Sequence, residues 1–294
     1  MLKESDVLLD PYRPGSLERL GLNFDEFTEN EAQQLIVARV SGYGQVPSNI
    51  NDEEKSYYMR PGHDINYLAE SGALWSIVDS GFPTPPDVLI ADFAGGAYQA
   101  VIGILLALLQ RSKTGKGSII DASITSGTSY LFSFFSISRQ MANRDILRSS
   151  TTGLPIPTDA SLFWNDITKR GVNLLDGGAP FYRAYSTLDD QFIVVGALEP
   201  QFYQNLLQGL GISPESASQM DRKAWPRIKD LFASIFKTKT REQWLEHENG
   251  FLYKHACLSP VFSPEEALER RPQNQFRSYS KHGYKLPVPF PKIL

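Results

Sequence analysis

The chain has 294 residues, which at about 150 residues per domain suggests roughly two domains. Hydrophobic residues make up 41% and charged residues 21%, ordinary globular usage that excludes wholesale disorder and collagen-like or fibrous states. Lys and Arg total 29 against 33 Asp and Glu, and a net charge of −4 argues against a general nucleic-acid binder, which needs a basic footprint. The single cysteine, Cys257, can form neither an intramolecular disulfide nor a cysteine zinc site, and fits a reducing, intracellular compartment. Nothing in the sequence selects peroxisome, mitochondrion or cytoplasm. The N-terminus, MLKESDVLLD, lacks the uninterrupted apolar run of a signal peptide. The most apolar stretch, Ala97 to Leu109, contains Tyr98 and Gln99 and is too short to span a bilayer, so a soluble protein without a membrane span is expected.

In chain order, Asp6 to Leu9 reads as a buried parallel strand, followed by a short helical piece around Leu17 to Leu20. Leu35 to Val40 reads as the next strand, ended by Gly42 and Gly44. Residues 46–61 are polar and read as a surface loop. From Pro61-Gly62 a helix is expected, with Ile65, Leu68, Gly72, Trp75 and Val78 at helical spacing. A second helix, buried on most sides, spans about Gly95 to Gln110, with Arg111 and Lys113 favourable at its C-terminal dipole. Thr114-Gly115-Lys116-Gly117 turns it into the strand Ser118 to Ala122; with a helix before it and a strand after it, this is no phosphate loop. Residues 143–173, rich in Ser, Thr, Pro and Asp, read as a long loop or insertion. Beyond it, the strand Phe192 to Val195 and the helices Gln201 to Leu210 and Trp225 to Phe236 suggest a second domain. Arg270, Arg271, Arg277, Lys281 and Lys285 read as a solvated basic tail.

Four histidines, His63, His247, His255 and His282, show no metal-ligand spacing, and no metal site is expected. His255 and Cys257 are two apart and do not face each other on a helix, so a packed Cys beside a surface His is expected there. Two places are better suited to chemistry. His63 stands at a helix start, where the dipole disfavours imidazolium and leaves a ring able to accept a proton. Asp92 stands at the start of an apolar helix, where the dipole favours the carboxylate and burial opposes it. Capping its own helix is the competing role for each.

The segments GHDINYLAESG, LIADFAGGAYQAVIGILLALLQRSKTGKG, IIDASITSGTSYL, NLLDGGAPFYRAY and VVGALEPQFY, with PYRPGSLERLGL and LIVARVSGYGQ upstream, are collinear from about Asp6 to the Pro260 region. Together they resemble the α-methylacyl-CoA racemases of the family III CoA-transferase (CaiB/BaiF) superfamily. The resemblance implies an α/β fold: a Rossmann-like CoA-binding and catalytic domain over residues 1–174, a smaller α+β second domain over 175–262, and a C-terminal return segment or tail over 263–294. It implies that His63 and Asp92 are the two acid/base residues and that Glu199 supports His63. Glu199 also precedes Pro200, as an N-cap would, and the two roles are compatible. Tyr12, Arg13 and Arg19 become CoA contacts, Arg being suited to phosphate, and the backbone of Gly62, Asp64, Ile65, Asn66 and Tyr67 lines the same site.

The implied reaction interconverts (2R)- and (2S)-2-methylacyl-CoA thioesters, a step of fatty-acid and lipid metabolism, with no cofactor beyond the coenzyme A of the substrate. The implied assembly is an interlocked homodimer whose active site lies between domains of different subunits. Against the family pattern an opening segment on the order of 75 residues is lacking, more than one βαβ unit of about 30. An insertion falls at about residues 145–166. The nucleotide site therefore looks incomplete, and the chain is expected to bind acyl-CoA poorly and to aggregate. Two rivals stand beside the racemase: a CoA-transferase with Asp92 as nucleophile, and an inactive truncated fragment. A base at His63 favours the racemase.

Overall fold

Parallel strands buried on both faces need near-continuous apolar sequence, and Leu35, Ile36, Val37 and Ala38 supply it at the centre of the first sheet, all essentially inaccessible. The computed structural model describes residues 2–23, 33–77, 82–152, 163–164, 166, 169–270, 276–279 and 284–287, with residues 3, 143–152, 276–279 and 284–287 as backbone only. Contacts divide the chain into two units, Met1–Ala160 and Ser161–Leu294. The sequence placed a boundary at 174/175; Leu174 packs against the core of the second unit.

In the first unit, β1 (Val7–Asp10), β2 (Ile36–Ser41) and β3 (Ser118–Ser123) form a parallel sheet in the order β1-β2-β3. Val7 pairs with Ile36 and Ile36 with Ser118. The expected surface loop at 46–61 instead contains a helix, α1 (Asp52–Met59). Its signal is a capping box: Glu54 N–H donates to Asn51 Oδ1 and Asn51 N–H to Glu54 Oε2. The helix expected from Pro61 is broken in two, α2 (Asp64–Glu70) and α3 (Ala73–Ile77), because Gly72 adopts a left-handed φ of 80° between them. Ile65 and Trp75 point to solvent, and Val78 lies outside the described residues.

The next helix begins as a π-helical turn, Ala91–Ala97, and continues as α4 (Tyr98–Thr114). Gly95 and Gly96 let this turn press against α5 (Ile124–Leu131): a Cβ on Gly95 would lie 2.1 Å from Thr128 Oγ1, and one on Gly127 would lie 2.0 Å from Gly95 O. Gly103 likewise brings α4 onto Ile120 of the sheet, and Arg111 ties its end to the Asp6 carboxylate at 2.8 Å and the Gln34 carbonyl at 2.9 Å. The helical segment Ala91–Thr114 spans 24 residues, long and apolar enough by composition to cross a membrane, and exceeds the stretch judged too short from the sequence. The sequence also expects it buried on most sides. Instead only Ala100 and Ala107 of α4 are buried, while Tyr98, Val101, Leu105, Leu106 and Leu109 are each more than half exposed. Periodicity cannot distinguish an apolar face that has a partner from one that has none.

The loop expected at 143–173 is helical in its first part, since α6 runs Ser133–Thr152. No Pro or Gly interrupts the chain before Gly153, so the helix continues despite its weak apolar pattern. Residues 153–162, at the heart of the expected insertion, lie outside the described residues.

The second unit is built on an antiparallel sheet, β4 (Tyr182–Ser186), β5 (Phe192–Gly196) and β6 (Leu258–Pro260), with α7 (Pro200–Gly209), α8 (Trp225–Phe236) and α9 (Arg241–His255) around it. Phe181, Ile193, Leu206, Ile228, Phe232, Phe236 and Trp244 are its fully buried core. The buried Arg241 is held by Glu266 of α10 (Pro264–Arg270) and by the Val261 carbonyl at 2.7 Å. That guanidinium holds the Glu266 carboxyl down to about 2. The hairpin β7 (Phe276–Tyr279) and β8 (Tyr284–Pro287) follows. The basic residues expected as a solvated tail, Arg270 apart, have no described side chains; Arg270 pairs with Glu242.

The Gly95–Gly127 approach gives a direct test. Gly127→Ala should destabilise the first unit by about 1–3 kcal/mol, the usual cost of overpacking, whereas the exposed Ser126→Ala should change little. Urea unfolding of both variants measures the difference.

Candidate functional site

Three segments meet at the carboxyl ends of β1 and β2, where open parallel sheets hold ligands. They are the loop after β1 from Pro11 to Pro14, the end of β2 from Val40 to Gly42, and the link from α1 to α2, and they enclose a cavity of about 270 Å³. Of the residues expected from the sequence, Tyr12, Arg13, Gly62, His63 and Tyr67 all line it. The position of Tyr67 explains two of the glycines. A Cβ on Gly42 or Gly62 would lie 2.4 or 2.6 Å from its ring, and its hydroxyl donates to the Gly62 carbonyl at 2.7 Å. Burial raises the Tyr67 hydroxyl above the usual phenol range, with Tyr43 and Asp92 adding to the rise and Arg13 opposing it.

Arg60 also lines the cavity, and sequence reasoning missed it because α1 was read as loop. Its guanidinium stands 4.5 Å from the Tyr43 ring centre and 4.4 Å from that of Tyr57, and pairs with Glu70 at 2.8 Å. Arg13 and Arg60 thus give the cavity two cations. Arg19 is exposed on a short 3₁₀ turn, where it donates to Ser16 Oγ at 3.1 Å, and it does not line the cavity.

His63 occupies the N-cap position of α2, its N–H donating to Asn66 Oδ1 at 3.0 Å and its carbonyl accepting from Asn66 N–H at 2.8 Å. The backbone and the Asn66 side chain make the cap, so the imidazole is left exposed at the cavity. Ile65 and Asn66 are exposed outside the cavity lining. Asp64 is 6% exposed, and its Oδ1 accepts the Asp92 N–H at 2.9 Å across 28 residues of sequence. Asp92 stands in the first π-helical turn, partly buried and outside the cavity lining. Burial pushes its carboxyl above the ordinary range, the Asp64 charge adds to this, and His63 opposes it. Local π-helical turns recur at functional sites, and this one gives the N–H of Asp92 to a side chain of the neighbouring helix.

Glu199 belongs to the second unit, at the N-cap position of α7 before Pro200. Its side chain makes no capping bond; only its carbonyl is used, by Phe202 and Tyr203 N–H at 3.0 Å each. The exposed carboxylate is thus available for other work. Cys257, expected to be packed, is exposed with a φ of 48°, and partial desolvation of its thiol together with the Glu199 charge raises its pKa.

Residues 1–289 match the pattern of CoA-transferase family III. The chain belongs to this family. Over its whole length it is 41% identical to the α-methylacyl-CoA racemase of Mus musculus and 40% identical to that of Homo sapiens, covering 69% of each. Among solved structures, Rv3272 of M. tuberculosis superposes on the whole chain with a TM-score of 0.70, at 18% identity and over 70% of that protein, which shows a shared fold. In this family member the parallel sheet and its connections bring together one imidazole, two carboxyl groups and two arginines within a single unit. An imidazole and a carboxyl held at neighbouring helix starts can each take or give a proton.

Tyr67→Phe removes the bond to the Gly62 carbonyl and should cost about 0.5–1.5 kcal/mol of stability. Urea unfolding measures it, and a loss near zero would show that water replaces the hydroxyl.

Proposed function

We propose that this chain interconverts the (2R) and (2S) epimers of 2-methylacyl-CoA thioesters by two-base proton transfer. The observation that carries the reading is the pairing of His63 with Asp92, coupled through charge and through Asp64, beside a cavity bearing Arg13 and Arg60. The racemase names of the mouse and human relatives support the same reading.

The α-proton of a thioester is weakly acidic. One base takes it, the C–H electron pair becomes the C=C bond as the carbonyl π pair moves onto the thioester carbonyl oxygen, and an enolate forms. The conjugate acid on the opposite face then returns a proton to Cα as the carbonyl re-forms, inverting the centre. The two groups swap roles with the configuration of the substrate, so each must be able to hold a proton. The carboxyl of Asp92, pushed up by burial, suits that dual role. Backbone N–H groups at the start of α2 would stabilise the enolate oxygen. The N–H of His63 is already engaged by Asn66 Oδ1, and Asp64, expected from the sequence at the site, is buried outside the cavity lining. The arginines would meet the anionic groups of CoA. No other cofactor is invoked, and acyl-CoA thioesters are made and used inside cells, so the reading carries an intracellular setting.

His63→Ala and Asp92→Ala should each abolish epimer interconversion of 2-methylacyl-CoA, followed as α-deuterium incorporation in D₂O. Glu199→Gln should impair turnover more than folding, since the Glu199 side chain makes no capping bond. Either alanine variant keeping wild-type interconversion would sink the two-base assignment. Trapping of an acyl-Asp92 adduct by hydroxylamine would identify a CoA-transferase instead, because proton transfer forms no covalent acyl intermediate.

A homodimer is part of the proposal. The exposed apolar face of α4, with Val101, Leu105 and Leu109, is larger in side chain than a monomer surface favours. Light scattering on the eluted protein should give about twice the 32.9 kDa chain mass, and a strictly monomeric peak would refute it.

A further inference from the structure

We infer that Asp64 is the positioning residue of this site: its buried carboxylate holds the His63 helix in register with the π-helical turn of Asp92 and places a fixed negative charge beside Asp92. The inference rests on the reading of His63 and Asp92 as the proton carriers.

The structure makes Asp64 costly in any other role. A carboxylate that is 6% exposed is penalised unless it is hydrogen-bonded or paired. Among the described residues Asp64 pairs with no Lys or Arg, and its carboxylate accepts the Asp92 N–H at 2.9 Å. An asparagine could accept that same N–H without placing a second carboxyl beside the first. The position at the start of α2 offsets part of the cost, because a negative charge there meets the positive end of the helix. The remainder is retained next to a group that must carry a proton, and charges are kept at such cost chiefly at functional sites.

The charge acts in a definite direction. A neighbouring anion disfavours ionisation of Asp92, so the carboxyl holds its proton to higher pH and is a stronger base once ionised. Among the described residues, few other titratable or polar groups lie on the elements around Asp92. From α2 they are His63, which acts in the opposite sense, and the Tyr67 phenol. From α5, Thr128 binds its own helix at Ile124 O and Thr125 binds Gly42 O. In the sheet, Arg39 is engaged by Asp10 and Glu18, and Asp121 accepts from Gln45 N–H.

Two variants of the full chain separate charge from geometry. Asp64→Asn keeps an acceptor for the Asp92 N–H and removes the charge; Asp64→Ala removes both. With carbon-13-labelled aspartate, and Asp92→Asn to assign the signal, the Asp92 carboxyl should titrate at lower pH in Asp64→Asn than in the wild type. The acid limb of α-proton exchange should move the same way. Asp64→Ala should lower kcat by about 100-fold, as misplacement of a reacting group does, with KM changed little. A merely structural Asp64 would lower the melting temperature and leave the titration of Asp92 where it was, and that result would overturn the inference. So would an Asp64→Asn variant matching the wild type in both titration and kcat. If Asp64→Ala does not fold, the Asp64→Asn titration decides alone. If the wild type exchanges no α-proton while the midpoint still shifts, the racemase reading fails and the role of Asp64 stands.

Discussion

The hydrogen bond from Asp92 N–H to the Asp64 carboxylate is the constraint on which the first unit's chemistry depends. It joins two helix starts that belong to different parts of the chain, and it can form only because the π-helical turn is seated deeply against α5. The glycines allow that depth. Where Gly95 and Gly127 meet, backbone atoms occupy the space a Cβ would need, so the turn sits closer than any side-chain-bearing residue would permit. Sheet, glycine contact, π-helical turn and Asp92 therefore form one chain of dependence, and a shift at any link moves the proposed proton carrier.

The cavity follows from the same sheet. Strands β1 and β2 run parallel to the same edge of the sheet, and the loops after them carry residues that line the space, among them Tyr12, Arg13 and Gly42. Tyr67 fills the room left by two glycines and closes one wall. Arg60 comes from a helix outside this framework, flanked by two tyrosine rings and fixed by Glu70. A cation so constrained loses little freedom when an anion binds. The second unit owes its stability to other physics: interlocking aromatic rings, with Phe236 stacked on Tyr185 at 5.0 Å, and a buried Arg241 whose charge is met by Glu266.

Much of this was legible in the sequence. Strand positions followed from short apolar runs, and helix α8 from its spacing, because burial on one face imposes a pattern that survives without coordinates. The collinear motifs of the resemblance pointed to His63, Arg13 and Tyr67, which line one cavity, and to Asp92, which does not, and membership of CoA-transferase family III agrees with the resemblance. What failed to show was local or tertiary. Helix α1 was hidden by its polarity, although its capping box was present at Asn51 and Glu54. The break at Gly72 was hidden because helical spacing continues across it.

The sequence by itself determined which side chains are able to carry the proposed chemistry, since an imidazole, a carboxyl and an arginine are chemical identities that folding does not alter. It also placed the strands of the parallel sheet, because short unbroken apolar runs bury on both faces. Only the tertiary structure decided that Asp64 is buried against Asp92, that Arg60 joins Arg13 at one cavity, and that the side chain of Glu199 does not cap its own helix. These depend on distances between residues remote in the chain, and no local pattern encodes which of several polar side chains will meet once the backbone has closed around them.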